Sequence, residues 1–147
     1  MFRGRYQHII DPKGRLSVPA KFRDALAQYD GALVVVPNEH CLEVHPLEEW
    51  QRIEAWLREQ PLFSTAVQEL VRRYTSKGKD VMLDAAGRIL IPPDAREQSG
   101  LAKKEVTLVG GGLPRFEVWD RGRFDEYERT RQERLPSLFE RLSSQGV

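Results

Sequence analysis

The stretch Asp11-Pro12-Lys13-Gly14-Arg15-Leu16-Ser17-Val18-Pro19-Ala20-Lys21-Phe22-Arg23 returns 73 positions later as Asp84-Ala85-Ala86-Gly87-Arg88-Ile89-Leu90-Ile91-Pro92-Pro93-Asp94-Ala95-Arg96. Five of the 13 positions are identical (Asp, Gly, Arg, Pro, Arg), so the fold is one unit built twice. Asp followed three residues later by Gly predicts a tight turn. The carboxylate bonds the backbone two residues on, and Gly takes the positive φ that side-chain-bearing residues resist. Arg15-Leu16-Ser17-Val18 and Arg88-Ile89-Leu90-Ile91 are β-prone runs. Pro19 and Pro92 then fix φ at the mouth of a short helix, which in the first copy carries Phe22, Ala25 and Leu26. The predicted unit is a hairpin followed by a helix.

The match resumes at Leu33-Val34-Val35-Val36 against Val106-Thr107-Leu108-Val109 and slips by one residue at Glu43-Val44 against Glu117-Val118. The copies therefore occupy 5–47 and 77–120, each with four short strands and one helix. A helical linker fills 48–76 and a helical segment fills 121–147. A copy of about 43 residues is near the size below which a core cannot stand alone, so the two share a core in an α+β fold.

In the linker, Pro46 opens a helix bearing Trp50, Ile53 and Leu57, which Pro61 ends. Thr65 with Gln68 forms a capping box for a second helix with the stripe Val67, Leu70, Val71 and Tyr74. Phe124 answers Trp50, so the helix after each copy belongs to the repeat. Pro136 interrupts the last segment, and Ser137 with Glu140 caps a final turn carrying Leu138, Phe139 and Leu142.

Of the 147 residues 31% are charged and 40% apolar, an ordinary globular balance. No run approaches the 18 or so apolar residues of a membrane span, and no apolar signal core follows Met1-Phe2-Arg3-Gly4-Arg5, so a cytoplasmic chain is expected. The single cysteine, Cys41, reads as a strand-end core residue. The net charge of +1 is unevenly spread. Residues 1–23 hold six Lys and Arg against Asp11, whereas 39–60 hold six acids against Arg52 and Arg58. A basic edge of this kind is the footprint of a polyanion binder, although a charge cluster alone is more often a solvated face.

Enzyme chemistry finds little support. His8, His40 and His45 are scattered, and no metal-ligand or nucleophile spacing joins them. Gly110-Gly111-Gly112 lacks the Lys-Ser/Thr of a phosphate loop and reads as a hairpin turn, while Glu48, Glu49 and Glu59 read as solvated charge on a helix flank.

Together, Met1-Phe2-Arg3-Gly4, the two Asp-x-x-Gly-Arg turns each leading to proline, Pro46-Leu47-Glu48-Glu49-Trp50, and Gly100-Leu101 through Val106-Thr107-Leu108-Val109-Gly110 to Phe116-Glu117-Val118-Trp119 resemble the MraZ family over essentially the whole chain. The resemblance implies two SpoVT-AbrB-like swapped-hairpin units and a nucleoid-associated, ring-forming transcriptional regulator. It implies a protein that binds direct repeats in the promoter of its own division and cell-wall gene cluster, usually to repress it. The family's Asp-x-x-x-Arg signature falls on Asp11 to Arg15 and on Asp84 to Arg88.

The DNA contacts expected are Arg15 and Arg88, implied by the resemblance, together with Lys13, Arg3 and Arg5 of the basic edge, with Asp11, Gly14, Asp84 and Gly87 as turn scaffold. An arginine beside a tight turn can present its fork to guanine edges or phosphates; the other reading is that Arg15 and Arg88 pair with Asp11 and Asp84. Residues 11–23 net +3 and 84–96 net zero, so the first copy carries more of the phosphate contact. The chain departs from the family where a phenylalanine-rich run is usual: it has Arg72-Arg73-Tyr74-Thr75-Ser76-Lys77, which bears on linker packing and ring size. Expected partners are double-stranded DNA and copies of the chain itself, with no membrane, small-molecule substrate, cofactor or metal. The rival readings are an architectural nucleoid protein without regulatory role and an AbrB-like antitoxin.

Overall fold

Each Asp-x-x-Gly turn reverses the chain, but the two arms it joins pair with the other copy rather than with each other. In the computed structural model, which describes residues 1–145, the first unit runs β1 (Arg3–Ile9), β2 (Arg15–Ser17), α1 (Ala20–Leu26), β3 (Ala32–Pro37), β4 (Leu42–Pro46) and α2 (Leu47–Arg58). α3 (Thr65–Arg73) and a 3-10 turn lead into β5 (Lys79–Met82), β6 (Arg88–Leu90), α4 (Pro93–Gln98), β7 (Glu105–Gly111), β8 (Phe116–Asp120) and α5 (Arg121–Arg131). α6 (Leu135–Ser144) follows. β1 pairs along its whole length with β7, and β5 with β3. Across the first turn only Ile10 and Leu16 form a bridge. The local hairpin expected from sequence is therefore a swapped one, because β2 pairs with β6 and sets Leu16 against Ile89, both buried.

The six-stranded sheet has the order β1-β7-β8-β4-β3-β5, every pair antiparallel, and β2 with β6 forms a separate two-stranded ribbon. Glu43 faces Glu117 in β4–β8 and Leu16 faces Ile89 in β2–β6. Both are pairs of equivalent positions in the repeat, so one approximate two-fold axis relates the units and passes through both pairs.

One shared core lies between the ribbon with its two short helices and one face of the sheet, taking Leu16, Phe22, Leu33, Val35, Ile89, Ile91, Leu108 and Phe116 from both units. Alternation along β3 sends Val34 and Val36 to the opposite face, where Trp50 of α2 covers them. Phe124 of α5 packs there with Cys41 and Trp119, so the helix after each unit is repeated as its sequence implied, and Cys41 is buried as expected. Phe22 meets Phe2, Tyr6 and Phe116 at 5.4, 5.2 and 4.9 Å between ring centroids. The equivalent position in the second unit is Ala95, so the cluster that Phe22 centres has no counterpart around α4.

At the axis Glu43 is buried. Its Oε1 accepts from His45 Nε2 at 2.8 Å and from the Tyr74 hydroxyl, and Oε2 accepts from Asn38 Nδ2 at 2.7 Å. Arg115 Nη1 stands 3.5 Å from Oε1. Burial alone would raise this carboxyl, but the hydrogen bonds and the Arg115 charge outweigh it and bring the pKa down to about 2. Burial pushes the Tyr74 hydroxyl well up, helped by the neighbouring carboxylate. The network ties the end of the linker to the sheet, a duty for His45 that its scattered position in sequence did not reveal.

Several sequence expectations give way here. Gly110 and Gly111 lie inside β7, not in a turn. A Cβ on Gly110 would lie 2.8 Å from the Phe2 carbonyl carbon and 2.9 Å from Phe22 Cζ, so glycine there admits β1 and the aromatic cluster. The N-cap of α3 is Ser64, whose side chain accepts from the Val67 amide; Gln68 bonds the Leu62 carbonyl instead of closing a box. α3 buries no residue, and Leu70 and Val71 stay exposed. Pro136 sits in the first turn of α6, where its missing N–H costs nothing, and Ser137 does not cap. Glu49 is mostly shielded and accepts from the Tyr29 hydroxyl at 3.0 Å. Among the described residues no helix is long and apolar enough to cross a membrane.

Candidate nucleic-acid interface

The ribbon turns Leu16 and Ile89 into the core and therefore sends their neighbours outward: Arg15 opposite Leu90, and Ser17 opposite Arg88. Arg15 and Arg88 are diagonal neighbours on this outer face, a separation of roughly 7–8 Å in an antiparallel pair. Swapping has brought together two signatures that lie 73 residues apart in the chain.

The turns are built alike. Asp11 Oδ1 accepts from the amides of Lys13 and Arg15 at 2.9 and 2.8 Å, and Oδ2 from Arg15 Nε at 2.6 Å. Asp84 Oδ1 accepts from the amides of Ala86 and Arg88, both at 2.9 Å, and Oδ2 from Arg88 Nε at 3.1 Å. The amide of the arginine four residues on is the main reason each carboxyl lies below its ordinary value, with the guanidinium adding to it. Both stay ionised at neutral pH. Gly14 and Gly87 supply the positive φ, +88° and +76°.

Of the two sequence readings of the arginines, the pairing with Asp11 and Asp84 is observed, and it engages only part of each guanidinium. Each pairs with its aspartate through Nε, and among the described residues neither Nη1 nor Nη2 of either guanidinium meets a protein acceptor. The aspartate thus holds a fork whose two outer nitrogens meet no protein acceptor among the described residues. Such a fork suits a phosphate or the O6 and N7 of guanine.

Sequence reasoning passed over two residues here. Arg96 lies over the first turn and Arg23 over the second: a Cβ on Gly14 would sit 3.0 Å from Arg96 Cζ, and one on Gly87 2.6 Å from Arg23 Cδ. Each guanidinium belongs to the unit opposite the turn it covers, and the backbone crosses the same way, Val18 N–H to Gly87 O at 2.9 Å and Ile91 N–H to Gly14 O at 3.0 Å. Arg96 Nε is buried with no hydrogen-bond partner among the described residues. The signal was present in the sequence, since Arg23 and Arg96 are the fifth identity of the repeat.

Lys13 is exposed in the first turn, close to the ribbon. Arg3 and Arg5 are not gathered there. Arg5 is five residues up β1 from Ile10, roughly 17 Å at about 3.4 Å per residue. It is engaged with α5, pairing with Glu128 at 3.1 Å and lying over the Phe124 ring at 5.0 Å. Arg3, beyond it, faces Gly111 of β7. In the second unit Asp94, which replaces Lys21, pairs with Lys79. His8 donates from Nδ1 to the Ser17 carbonyl at 2.7 Å, joining β1 to the ribbon. Among the described residues no group of three His, Cys, Asp or Glu is placed to hold a metal ion.

Comparison with known proteins bears on this arrangement. The family model described as "MraZ protein, putative antitoxin-like" matches twice, over residues 1–73 and 76–144. A protein of Acetivibrio thermocellus named "Transcriptional regulator MraZ" is 36% identical over 147 residues, the whole of both chains. Proteins of the same name from Marinomonas sp. (strain MWYL1) and Acidithiobacillus ferrooxidans are 41% and 39% identical, covering 92% and 88% of this chain and 88% and 89% of their own.

Proposed function

Because the chain belongs to the MraZ family, we propose that it is a transcriptional regulator that binds double-stranded DNA through the outer face of the β2–β6 ribbon. The observation that carries this reading is the convergence of two aspartate-oriented guanidiniums, Arg15 and Arg88, on one exposed ribbon. A two-stranded ribbon is narrow enough for the major groove, and a pair of forks related by a two-fold axis can address both strands. Lys13 adds positive charge in the turn of Arg15, and Lys21 adds a further cation to the first unit where the second has Asp94, so the first unit supplies more of the phosphate contact. Arg3 and Arg5 stand apart from the ribbon and contribute through long-range charge.

In this reading the targets are short direct repeats in the promoter of its own division and cell-wall gene cluster. The chain represses that promoter by binding as an oligomer on the nucleoid. One subunit brings few contacts, and linked subunits on successive repeats raise the effective concentration at each. The relatives carry the name of a regulator, not of an enzyme, in keeping with a site that offers guanidinium forks and no reacting group.

Footprinting on the DNA upstream of the chain's own gene tests the reading. Protected repeats that disappear with Arg15→Ala support it. Protection no stronger than on random DNA of equal length overturns it in favour of a nonspecific architectural role.

A further inference from the structure

A cleft of about 660 Å³, the size of a small-molecule site, opens between α5 and α6. Four arginines from different elements line it: Arg5 of β1, Arg131 at the end of α5, Arg134 in the turn that follows, and Arg141 of α6. The one carboxylate of the lining is Glu128, which pairs with Arg5 at 3.1 Å. Arg131 lies over the Tyr127 ring at 4.1 Å, and its Nη1 stands 3.3 Å from the Thr130 hydroxyl. The guanidiniums of Arg134 and Arg141 are exposed and meet no acceptor among the described residues.

The repeat supplies an internal comparison. Gly78 stands where the other unit has Arg5, and it lies beside Trp50 as Arg5 lies over Phe124. Leu57 and Gln60 occupy the places of Arg131 and Arg134, while Glu54 answers Glu128. The fold therefore does not require these three cations. Like charges gathered around one cleft repel each other, and a bound anion relieves that repulsion.

We propose that this cleft binds a small anion bearing a chain of two or more phosphates, held by Arg131, Arg134 and Arg141 against the apolar wall of Leu135 and Leu138. Charge sets the number of phosphates. One phosphate carries about −1.5 to −2 near pH 7, short of the net +3 of the lining, whereas a diphosphate or triphosphate matches it. Guanidinium forks are the groups that take phosphate oxygens in pairs. Arg131 covers the Tyr127 ring and Trp119 packs on it with centroids 4.9 Å apart, so no aromatic platform is left for a base. The phosphate chain is what the cleft recognises.

Isothermal titration calorimetry of the full chain with sodium pyrophosphate, tripolyphosphate, orthophosphate and adenosine triphosphate tests this. Pyrophosphate and tripolyphosphate should bind at least about tenfold tighter than orthophosphate, and Arg134→Gln combined with Arg141→Gln should weaken them at least about tenfold, the loss expected for charge-assisted hydrogen bonds. Both side chains are exposed, so melting should not change. Arg72→Gln with Lys103→Gln removes the same charge elsewhere and should leave binding within about twofold. Adenosine triphosphate binding tighter than tripolyphosphate identifies a nucleotide as the source of the phosphate chain, equal affinities the bare chain, and either supports the site. The proposal is overturned by an unaltered chain that binds no pyrophosphate, by orthophosphate binding as tightly, or by equal losses in the two double variants. Arg15→Ala with Arg88→Ala should keep pyrophosphate binding, which separates this site from the ribbon. A cleft variant that loses duplex DNA affinity, in a chain that ignores pyrophosphate, makes the cleft a DNA contact and likewise overturns the proposal.

Discussion

Replacing Glu43 by Gln removes the charge at the centre of the molecule while keeping shape. The carboxylate accepts from His45, Tyr74 and Asn38 and faces Arg115. Its side chain is 5% exposed, so solvent screening takes little from these interactions. Despite burial, they bring its pKa from an ordinary 4.5 to about 2. At about 1.4 kcal/mol per pH unit, that difference corresponds to about 3 kcal/mol of stability. Because the folded value is the lower one, the stabilisation is present in full above about pH 4.5 and is lost as pH falls towards about 2. Gln also sets its amide against that of Asn38, donor to donor. Urea titrations of both proteins at a series of pH values, followed by tryptophan fluorescence, should give Glu43→Gln a deficit of about 3 kcal/mol at pH 7 that shrinks steadily below pH 4.5. A deficit unchanged between pH 7 and pH 2.5, or one under about 1 kcal/mol at pH 7, would refute the reasoning.

Other outcomes follow from the same geometry. Phe22→Ala opens a cavity among three aromatic rings and should cost about 3–5 kcal/mol in denaturant titrations. Gly87→Ala forces a side chain into positive φ and against Arg23, a loss of about 1–2 kcal/mol, whereas Gly111→Ala meets nothing within 4 Å and should change stability by less than about 0.5 kcal/mol; thermal melts of the pair check the contrast. Lys13→Ala should lower the slope of log affinity against log salt by about 0.9, and by more than Arg88→Ala does, while Ala86→Lys steepens it by a similar amount. Equal slopes for Lys13→Ala and Arg88→Ala would show that the two units contribute alike.

The repeat made much of the fold legible, because an Asp-x-x-Gly-Arg turn leading to proline dictates local backbone whatever surrounds it. What local pattern could not give was the partner of each strand. Arg15-Leu16-Ser17 reads the same whether Leu16 faces its own hairpin or Ile89, and the choice rests on burying that pair at the axis. The glycine run misled for a related reason: three consecutive glycines suggest a turn, but Gly110 is required by the Phe2 backbone and the Phe22 ring, both more than 80 residues away. Apolar spacing on α3 and α6 gave helices correctly, yet said nothing of whether those faces meet the core, and both remain exposed. At the candidate site, Arg15 and Arg88 were selected from their turns, and the structure brings the two together on one ribbon. Arg23 and Arg96 were visible only as identities, since their contact crosses between units. Arg3 and Arg5 were selected on charge, which carries no information about distance from the ribbon.

The central claim is that the paired forks of the ribbon hold DNA. Fluorescence anisotropy of a labelled duplex from upstream of the chain's gene, titrated with the unaltered chain, Arg15→Ala, Arg88→Ala and the double variant, tests it directly. Arg15→Ala should lose roughly 5- to 150-fold in affinity, for about 1–3 kcal/mol. The double variant should lose more, and melting temperatures should stay unchanged. A double variant that melts normally and binds the duplex as tightly as the unaltered chain would contradict the claim.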